Sequence, residues 1–400
     1  MKEIKSGALR IGAVDRGRGI AILFIVSAHV LRKGALADYL MSTGVALFCV
    51  LSGVLLPGGK KRPFWQKVAR RLRRIYVPYL LVGLVSILVY AVLGQSAAAI
   101  LKTKSGEMET GVLTNIGYLL FANSKNHHSM KWNETLWFLP CFLLALLFSA
   151  GIELAVAKCR TSATQGITKQ KEGIEKAEPK ENGREAKREG GRREETPRLL
   201  PGILLRVVFS AAFLALGAVL VRGVDARLPF QGESACHLVP MVELGITLGE
   251  VHPPRKEVGD RKKLALAALL LIALGILLAI PFGRASIRTD EYPAGLYSYL
   301  TILVSALGYF AAAGALPDLS ILQLFGARSL GIMLWNKFPV VAVQAAASHV
   351  GIGGYFLEKS TPLSAVLALV FGILCILLCL FWTGIPDFFG KVTKKTGKNR

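Results

Sequence analysis

Three ionisable residues near the N-terminus have the types and the spacing of a catalytic or ligand-binding site. Asp15 and Arg18 are three residues apart, and Arg18 and His29 are eleven apart. In an α-helix all three therefore lie on one face, with about 16 Å between Arg18 and His29 along the axis. A histidine inside an apolar helix is a candidate for proton transfer. A snorkelling Arg18 and a His29 that is hydrogen-bonded between helices would fit the same pattern.

A segment rich in lysine and arginine, from Lys60 to Arg74, precedes the apolar run that begins at Val77. Such a segment can orient a membrane protein and attract anionic lipid. It can also bind a phosphate-rich ligand through arginine side chains at the cytoplasmic face. An arginine cluster at the opening of a cavity and a histidine deeper inside suit an elongated ligand that carries phosphates at one end. Coenzyme A thioesters have that shape.

The composition excludes a single soluble core. Of 400 residues, 52% are hydrophobic and only 19% are charged, against about 45–50% and about 25% in a typical soluble domain. The mean hydropathy is +0.47. We expect an all-α, polytopic membrane protein with about ten transmembrane helices. The predicted spans are residues 11–31, 43–57, 77–94, 135–157, 199–221, 234–249, 264–281, 295–316, 329–347 and 362–383.

The net charge of +23 is distributed in a way that predicts the topology. Basic residues concentrate in both tails and in alternate loops, which places the N- and C-termini in the cytoplasm of a cell with the protein in its cytoplasmic membrane. No loop carries a DNA-binding motif, so we expect no nucleic-acid partner. The first apolar segment, with small residues at 35–37, could also act as a cleaved signal peptide. Its long leading region and its charged residues favour a retained helix.

The predicted organisation has four parts. Residues 1–157 form an N-terminal membrane part of about four helices, and residues 199–384 form a C-terminal part of about six. Residues 158–198 are rich in lysine, glutamate, arginine and glycine and are predicted to be a disordered cytoplasmic loop, either a spacer or a partner-binding segment. Residues 385–400 form a basic tail. The segment Val112–Phe121 is too short to span and is expected at the interface.

Four segments in order resemble the signature of integral-membrane acyltransferase family 3. They are VDRGRGIA at 14–21 followed by His29, GVALFCVLSG at 44–53, RRLRRIYVPY at 70–79 and LWFLP at 136–140. In that family an arginine, ten intervening residues and a histidine open the first helix, which is the spacing of Arg18 and His29. The LWFLP variant looks closest to the fucose 4-O-acetylase-like branch.

The resemblance implies an enzyme, a membrane-bound O-acyltransferase. It would move an acyl group, usually acetyl, from cytoplasmic acyl-CoA to a hydroxyl of a cell-surface or cell-wall carbohydrate. By the same analogy His29 is the catalytic residue. Arg18, with Asp15 beside it, would hold the donor, and Arg71 or Arg74 would assist at its phosphates. The expected partners are acyl-CoA, the carbohydrate acceptor, the lipid bilayer and proteins of glycan assembly, and no metal is expected.

Other motif residues are expected to have structural roles. Ser52 and Gly53 are predicted to pack helices closely, because no general base neighbours Ser52 in sequence. Trp137 is predicted to be an interfacial anchor. The segment from Ser329 resembles a family helix that often carries tyrosine and histidine, but Met333 and Asn336 stand in those places. That departure puts a second histidine role in doubt.

Two rival functions are compatible with the sequence. A transporter or flippase for a polysaccharide or lipid-linked sugar could use an intramembrane histidine as a proton relay, although no internal repeat is evident. A non-catalytic scaffold for glycan assembly is the other alternative. In the outer loop, His127, His128 and Glu134 are expected to be solvated. The six cysteines show neither a disulfide framework nor a zinc pattern.

Overall fold

The protein folds into a bundle of long α-helices. The computed structural model describes residues 4–31, 34–57, 63–100, 111–122, 131–175, 196–223, 228–251, 261–282, 285–288, 290–353 and 361–396. Within these ranges the regular structure is helical, and one isolated β-bridge joins Ser286 to Glu291. The prediction of an all-α, polytopic membrane protein is confirmed.

The helices of the N-terminal half follow the apolar runs of the sequence. In chain order they are α1 (Ile4–Val30), α2 (Ala35–Val54), α3 (Phe64–Arg71), α4 (Val77–Ile100), α5 (Val112–Phe121) and α6 (Phe138–Glu175). A π-helical turn, Leu72–Tyr76, joins α3 to α4, and a 3-10 helix, Lys131–Trp137, precedes α6.

The C-terminal half continues the same pattern of long helices and short turns. It contains α7 (Thr196–Gly223), a 3-10 turn (Pro229–Gln231), α8 (Gly232–Val251), α9 (Arg261–Phe282), α10 (Leu296–Ala315), α11 (Ser320–Ala327), α12 (Ser329–Trp335), α13 (Lys337–His349) and α14 (Pro362–Thr396). Helices α12 and α13 meet at a bend of 54°.

Seven helical segments among the described residues are long and apolar enough to cross a membrane, or eight if the bent pair α12–α13 is one span. Helices α1 and α8 have 27 and 20 residues, enough to cross about 30 Å. Both carry too many polar groups to meet the same criterion. The predicted total of ten includes these two helices, so the count stays a prediction, as do the sides of the termini.

Helix α1 lies at the centre of the bundle. This is unexpected, because its N-terminal half carries more charged residues than the N-terminal half of any other long helix. It packs against α2, α10, α11, α12, α13 and α14. Its apolar side chains Ile22 and Val26 are fully buried. By contrast, α7, α9 and α14 keep large apolar side chains on the outside, as expected for helices that face lipid. Residues of α1 from Gly12 onward are therefore shielded from the bilayer by the rest of the protein.

Two segment boundaries differ from the sequence prediction. Helix α6 continues to Glu175, so residues 158–175 are helical and the prediction of disorder from residue 158 onward is wrong there. Residues 176–195 lie outside the described residues. Helix α14 likewise continues to Thr396, through most of the predicted basic tail. Helical segments of lysine, glutamate and glutamine can extend beyond the membrane, because these residues are good helix formers.

Candidate active site

The structure places Asp15, Arg18 and His29 on the single helix α1, and all three side chains are half-buried. The charges of Asp15 and Arg18 interact as predicted, but the two side chains do not form a salt bridge. Among the described residues Arg18 forms no ion pair, and its Nε atom is buried without a hydrogen-bond partner. The Arg18 guanidinium instead lies over the ring of Phe48, 5.8 Å from its centroid. Phe48 belongs to α2 and packs against the aromatic rings of Phe138 and Phe142.

The neighbouring Arg16 is the residue of this motif that has a structural partner. Its side chain forms an ion pair with Asp318, and its Nε donates to the carbonyl of Ala313 at 3.1 Å. Arg16 is buried, and these contacts fix α1 to the segment between α10 and α11. No pattern in the sequence indicates this role, because Asp318 lies 302 residues away. Of Arg16 and Arg18, the two arginines of α1 whose side chains the structure describes, Arg18 is the one available to a ligand.

The basic segment brings a second guanidinium close to Arg18. Arg74 lies in the π-helical turn, is exposed, and is near enough to Arg18 for the two positive charges to interact. π-Helical turns inside α-helices occur frequently at functional sites. Two like charges in one region are unfavourable unless an anion joins them. Arg18 and Arg74 thus form the candidate anion site that the sequence predicted.

Arg71 is less free than its neighbour Arg74. Its Nη1 donates to the carbonyl of Leu146 on α6 at 2.5 Å. One turn earlier, Lys67 forms an ion pair of 3.1 Å with Glu153, also on α6. These contacts attach α3 to α6 and hold the π-helical turn in place. Arg71 can still direct its remaining N–H groups to a phosphate, but one of them is committed to the protein.

His29 lies at the C-terminal end of α1, three helical turns beyond Arg18, which is near the middle of the helix. No residue in the described part of the chain makes a hydrogen bond to its ring. The charged groups close enough to act on the ring are Glu134, Arg288 and Lys337. Gln344 on α13 donates to the carbonyls of His29 and Val30 at 2.9 and 3.1 Å, which fixes the end of α1. The backbone of this turn is held, while the imidazole is left available.

Glu134 was predicted to be a solvated loop residue, and this prediction is wrong. Its carboxylate is half-buried and accepts a hydrogen bond from Arg288 at 2.7 Å. The backbone at Asn133 departs from helical geometry, and the Asn133 side chain is buried and donates to Ser86 Oγ at 3.1 Å. Thr135 in turn donates to Asn133 Oδ1 at 2.7 Å. These bonds fix the turn that directs Glu134 toward His29. His127 and His128 lie outside the described residues.

The bend between α12 and α13 falls at Asn336, beside Lys337. Asn336 is buried, and its Oδ1 has no hydrogen-bond partner among the described residues. Met333, one turn earlier, is also buried. These are the two positions at which the sequence departs from the tyrosine and histidine of the resembled family. Since Lys337 is within electrostatic range of His29, the bent pair still contributes a polar group to this end of the bundle.

Three motif residues lie in the packed interior. Ser52 donates its hydroxyl to the carbonyl of Phe48 at 2.8 Å, within its own helix. Gly53 faces Gly245 of α8, where an added Cβ on Gly53 would lie 2.2 Å from the carbonyl oxygen of Val242. The prediction that Trp137 is an interfacial anchor is wrong, because its side chain is 1% exposed and belongs to the main core.

A buried ion network in the other half of the bundle was not predicted. Arg206 on α7 donates to Glu243 at 2.6 Å and to Glu250 at 3.0 Å, both on α8. Arg160 on α6 pairs with Glu250 at 2.7 Å. The network ties three helices together. It explains how α8 can carry Glu243 and Glu250 in a buried position, since each of these two carboxylates has a positive partner.

A second unpredicted cluster lies where α8 begins. His237 Nδ1 is 3.2 Å from Asp290 Oδ1, and Ser234 donates to Asp290 Oδ2 at 2.8 Å. The ring of Tyr292 packs edge-on against His237. Burial, reinforced by the charge of Asp290, raises the pKa of the Tyr292 phenol well above its usual range. The cluster joins α8 to the turn before α10, and among the described residues no group of three metal-ligating side chains occurs.

The fold and the charged central helix define a class: a polytopic membrane protein whose central helix carries an arginine near its middle and a histidine at its C-terminal end. A family model described as an acyltransferase domain matches residues 11–382. The chain belongs to acyltransferase family 3, and the predicted family is confirmed. Membrane acyltransferase activity follows from that membership in general terms. No curated protein and no solved structure matches the chain.

Proposed function

We propose that the protein transfers an acetyl group from cytoplasmic acyl-CoA to a hydroxyl of a cell-surface or cell-wall carbohydrate, and that it does so in the cytoplasmic membrane. The family supplies the acyltransferase chemistry. The observation that carries the finer proposal is the arrangement of α1. Near its middle this helix holds an arginine that has no ion-pair partner among the described residues and lies close to a second arginine. At its C-terminal end it holds a histidine whose ring makes no hydrogen bond to any described residue.

The donor lies with its phosphates at the Arg18 end. Arg18 and Arg74 provide charge-assisted hydrogen bonds, which are about twice as strong as neutral ones. Arg18 is held against Phe48, so little rotational freedom is lost when it binds a phosphate. The long pantetheine arm then carries the thioester along α1 toward His29. The predicted topology places the Arg18 end in the cytoplasm, where acyl-CoA is available.

His29 acts as the general base. One of its ring nitrogens takes the proton of the acceptor hydroxyl while the hydroxyl oxygen forms a bond to the acyl carbon. The bond between that carbon and the CoA sulfur breaks, and the proton passes from the imidazolium to the thiolate as CoA leaves. Glu134 stabilises the imidazolium electrostatically and offers a hydrogen-bond acceptor for a sugar hydroxyl. Base catalysis of this kind contributes about 10²–10⁴-fold.

A reconstitution experiment tests this proposal against its rivals. The purified full chain is incubated with radiolabelled acetyl-CoA and a panel of glycans, and a parallel sample is placed in liposomes that contain the same glycans. Transfer of label to a glycan, or hydrolysis of the donor, supports the proposed enzyme. Movement of a glycan across the liposome membrane without acetyl-CoA would support a transporter instead. If neither acetyl transfer nor transport is detected, the scaffold remains as the explanation and the proposal is contradicted.

A further inference from the structure

A hairpin between α9 and α10 carries Arg288, the partner of Glu134. Ser286 and Glu291 close this hairpin through two backbone hydrogen bonds of 2.9 and 3.0 Å, and we name it the Arg288 hairpin. Ile287 is fully buried, whereas Arg288 is half-buried and donates to the Glu134 carboxylate at 2.7 Å. The position of Arg288 in the proposed active site therefore depends on the contacts that hold this hairpin.

Helix α2 holds the first side of the Arg288 hairpin. The Ser42 hydroxyl donates to the carbonyl of Ala285 at 2.9 Å and accepts from the amide of Ile287 at 3.4 Å. A hydroxyl can donate and accept at the same time, so this one buried side chain satisfies two backbone groups. It fixes the chain immediately before Arg288.

Helix α8 holds the second side of the hairpin. Asp290 Oδ2 accepts from Ser234 at 2.8 Å, and Asp290 Oδ1 lies 3.2 Å from His237 Nδ1. The Asp290 side chain is fully buried, and its backbone φ is +55°. Residues other than glycine rarely adopt this conformation, and they keep it where the surrounding structure fixes it. The contacts from α8 therefore fix the chain two residues after Arg288.

The surroundings of His237 show how its side chain can act. The side chain is 4% exposed, and the ring of Tyr292 packs edge-on against it at 5.1 Å between centroids. A Cβ on Gly217 of α7 would lie 2.8 Å from His237 Nε2, so that side of the ring is also occupied. The Tyr299 hydroxyl donates to the His237 carbonyl at 2.7 Å and fixes the backbone. Enclosed in this way, the imidazole acts through Asp290 and not on a substrate.

We propose that His237 and Asp290 are positioning residues of the acyl-transfer site. His237 holds Asp290, and Asp290 holds the hairpin so that Arg288 is directed onto Glu134. Glu134 is the carboxylate that acts on His29. This inference rests on the proposed function, and it extends the site to α8, on which no functional residue was predicted from the sequence.

A kinetic double-mutant cycle with the purified full chain tests the inference. His237→Ala is expected to lower kcat about tenfold without changing the KM for acyl-CoA, because the donor binds near Arg18. In the Arg288→Ala background the same change should cost less than about twofold, because the hairpin then has no arginine to position. His237→Asn keeps an N–H donor near the position of Nδ1 and should recover most of the rate.

Ser42→Ala releases the same hairpin from α2 and should show the same dependence on Arg288, so a folding defect in one variant does not decide the outcome. Thr247→Val removes a hydrogen bond at the other end of α8 and is the matched control, which should keep the wild-type kcat. Equal losses with and without Arg288 would overturn the inference, since a merely structural contact acts in both backgrounds. A wild type that transfers no acyl group would refute the proposed function instead.

Hydrogen exchange followed by mass spectrometry tests the same contacts without substrate and without activity. In His237→Ala, peptides that cover residues 286–291 and 131–137 are expected to exchange at least about tenfold faster, because the hairpin and its partner turn open locally. Peptides of α9 should exchange at the wild-type rate. Unchanged exchange in the two turns, or a uniform rise across the bundle, would overturn the inference whatever the kinetics show.

Discussion

Arg288 donates a hydrogen bond to Glu134 over 2.7 Å, although the two residues are 154 positions apart in the chain. The pair joins the turn before α6 to the turn after α9, and both of its charges act on His29. Arg288 is positive, as is Lys337, so Glu134 is the nearby group that favours a protonated imidazole. A histidine that gains a proton during catalysis needs such a carboxylate.

Replacement of Glu134 by glutamine should therefore slow the chemical step. We expect Glu134→Gln to lower kcat about tenfold, a loss of about 1.4 kcal/mol in transition-state stabilisation, without changing the KM for acyl-CoA. Glu134→Asp should recover part of the rate. Steady-state kinetics against acyl-CoA at saturating acceptor provide the measurement. A rise in the acyl-CoA KM with unchanged kcat would place Glu134 in donor binding instead.

Arg18 should affect the donor and not the chemical step. Hydrogen bonds to charged groups contribute about 1.5–3 kcal/mol, so Arg18→Ala is expected to raise the dissociation constant for acyl-CoA about 10–100-fold. Arg18→Lys should recover only part of this, because lysine lacks the planar fork of donors. Isothermal titration with a non-hydrolysable acyl-CoA analogue measures the effect. Lys158→Ala, which removes an exposed positive charge from α6, is the control. Unchanged affinity in Arg18→Ala would remove Arg18 from the site.

The buried ion network of α6, α7 and α8 should affect the stability of the fold. Arg206→Ala leaves Glu243 buried without its partner, which costs about 3–5 kcal/mol. The double variant Arg206→Met with Glu243→Met removes both charges and should be closer to the wild type. The measurement is the temperature at which each variant loses its monodisperse state on heating in detergent, and it is compared between the single and the double variant. Equal destabilisation of the single and double variants would mean that the packing of these side chains, and not the pairing of their charges, stabilises the contact between the helices.

The close contact between α2 and α8 should require a glycine at position 53. A Cβ on Gly53 would lie 2.2 Å from the Val242 carbonyl oxygen, so Gly53→Ala must push the helices apart. Overpacking of this kind costs about 1–3 kcal/mol. Gly151→Ala on α6 is the matched control, because its Cβ would meet nothing within 4 Å and should stabilise the helix by about 0.5–1 kcal/mol. The unfolding temperatures of both variants decide whether close approach requires Gly53.

The sequence allowed the prediction of those candidate site residues that lie on a single helix. The spacing of Asp15, Arg18 and His29 on α1 follows from helical periodicity alone, and the apolar runs predicted the membrane fold. The partial burial of Glu134 could not be recognised, because Glu134 pairs with Arg288, which comes from a distant turn. The same reason hid the partner of Arg16. A charged residue in a loop looks solvated until its partner is known.

Trp137 and the long helix α6 show two other limits of the sequence. A tryptophan near the end of a span is typical of the interface, but the fold buries Trp137 in the main core. The charged stretch after residue 158 lacks the apolar periodicity of a packed helix, yet it continues α6 for several turns. Propagation of an existing helix is easier than nucleation of a new one.

The central claim is that His29 is the base for acyl transfer, and the most direct test is the rate of acetyl transfer by His29→Ala. The measurement uses radiolabelled acetyl-CoA, a carbohydrate acceptor on which the wild type is active, and equal amounts of membrane-inserted protein. His349→Ala, which removes an exposed histidine from α13, is the control and should keep the wild-type rate. We predict a loss of at least about 10²-fold in His29→Ala. A wild-type rate in that variant would contradict the assignment of His29 as the base.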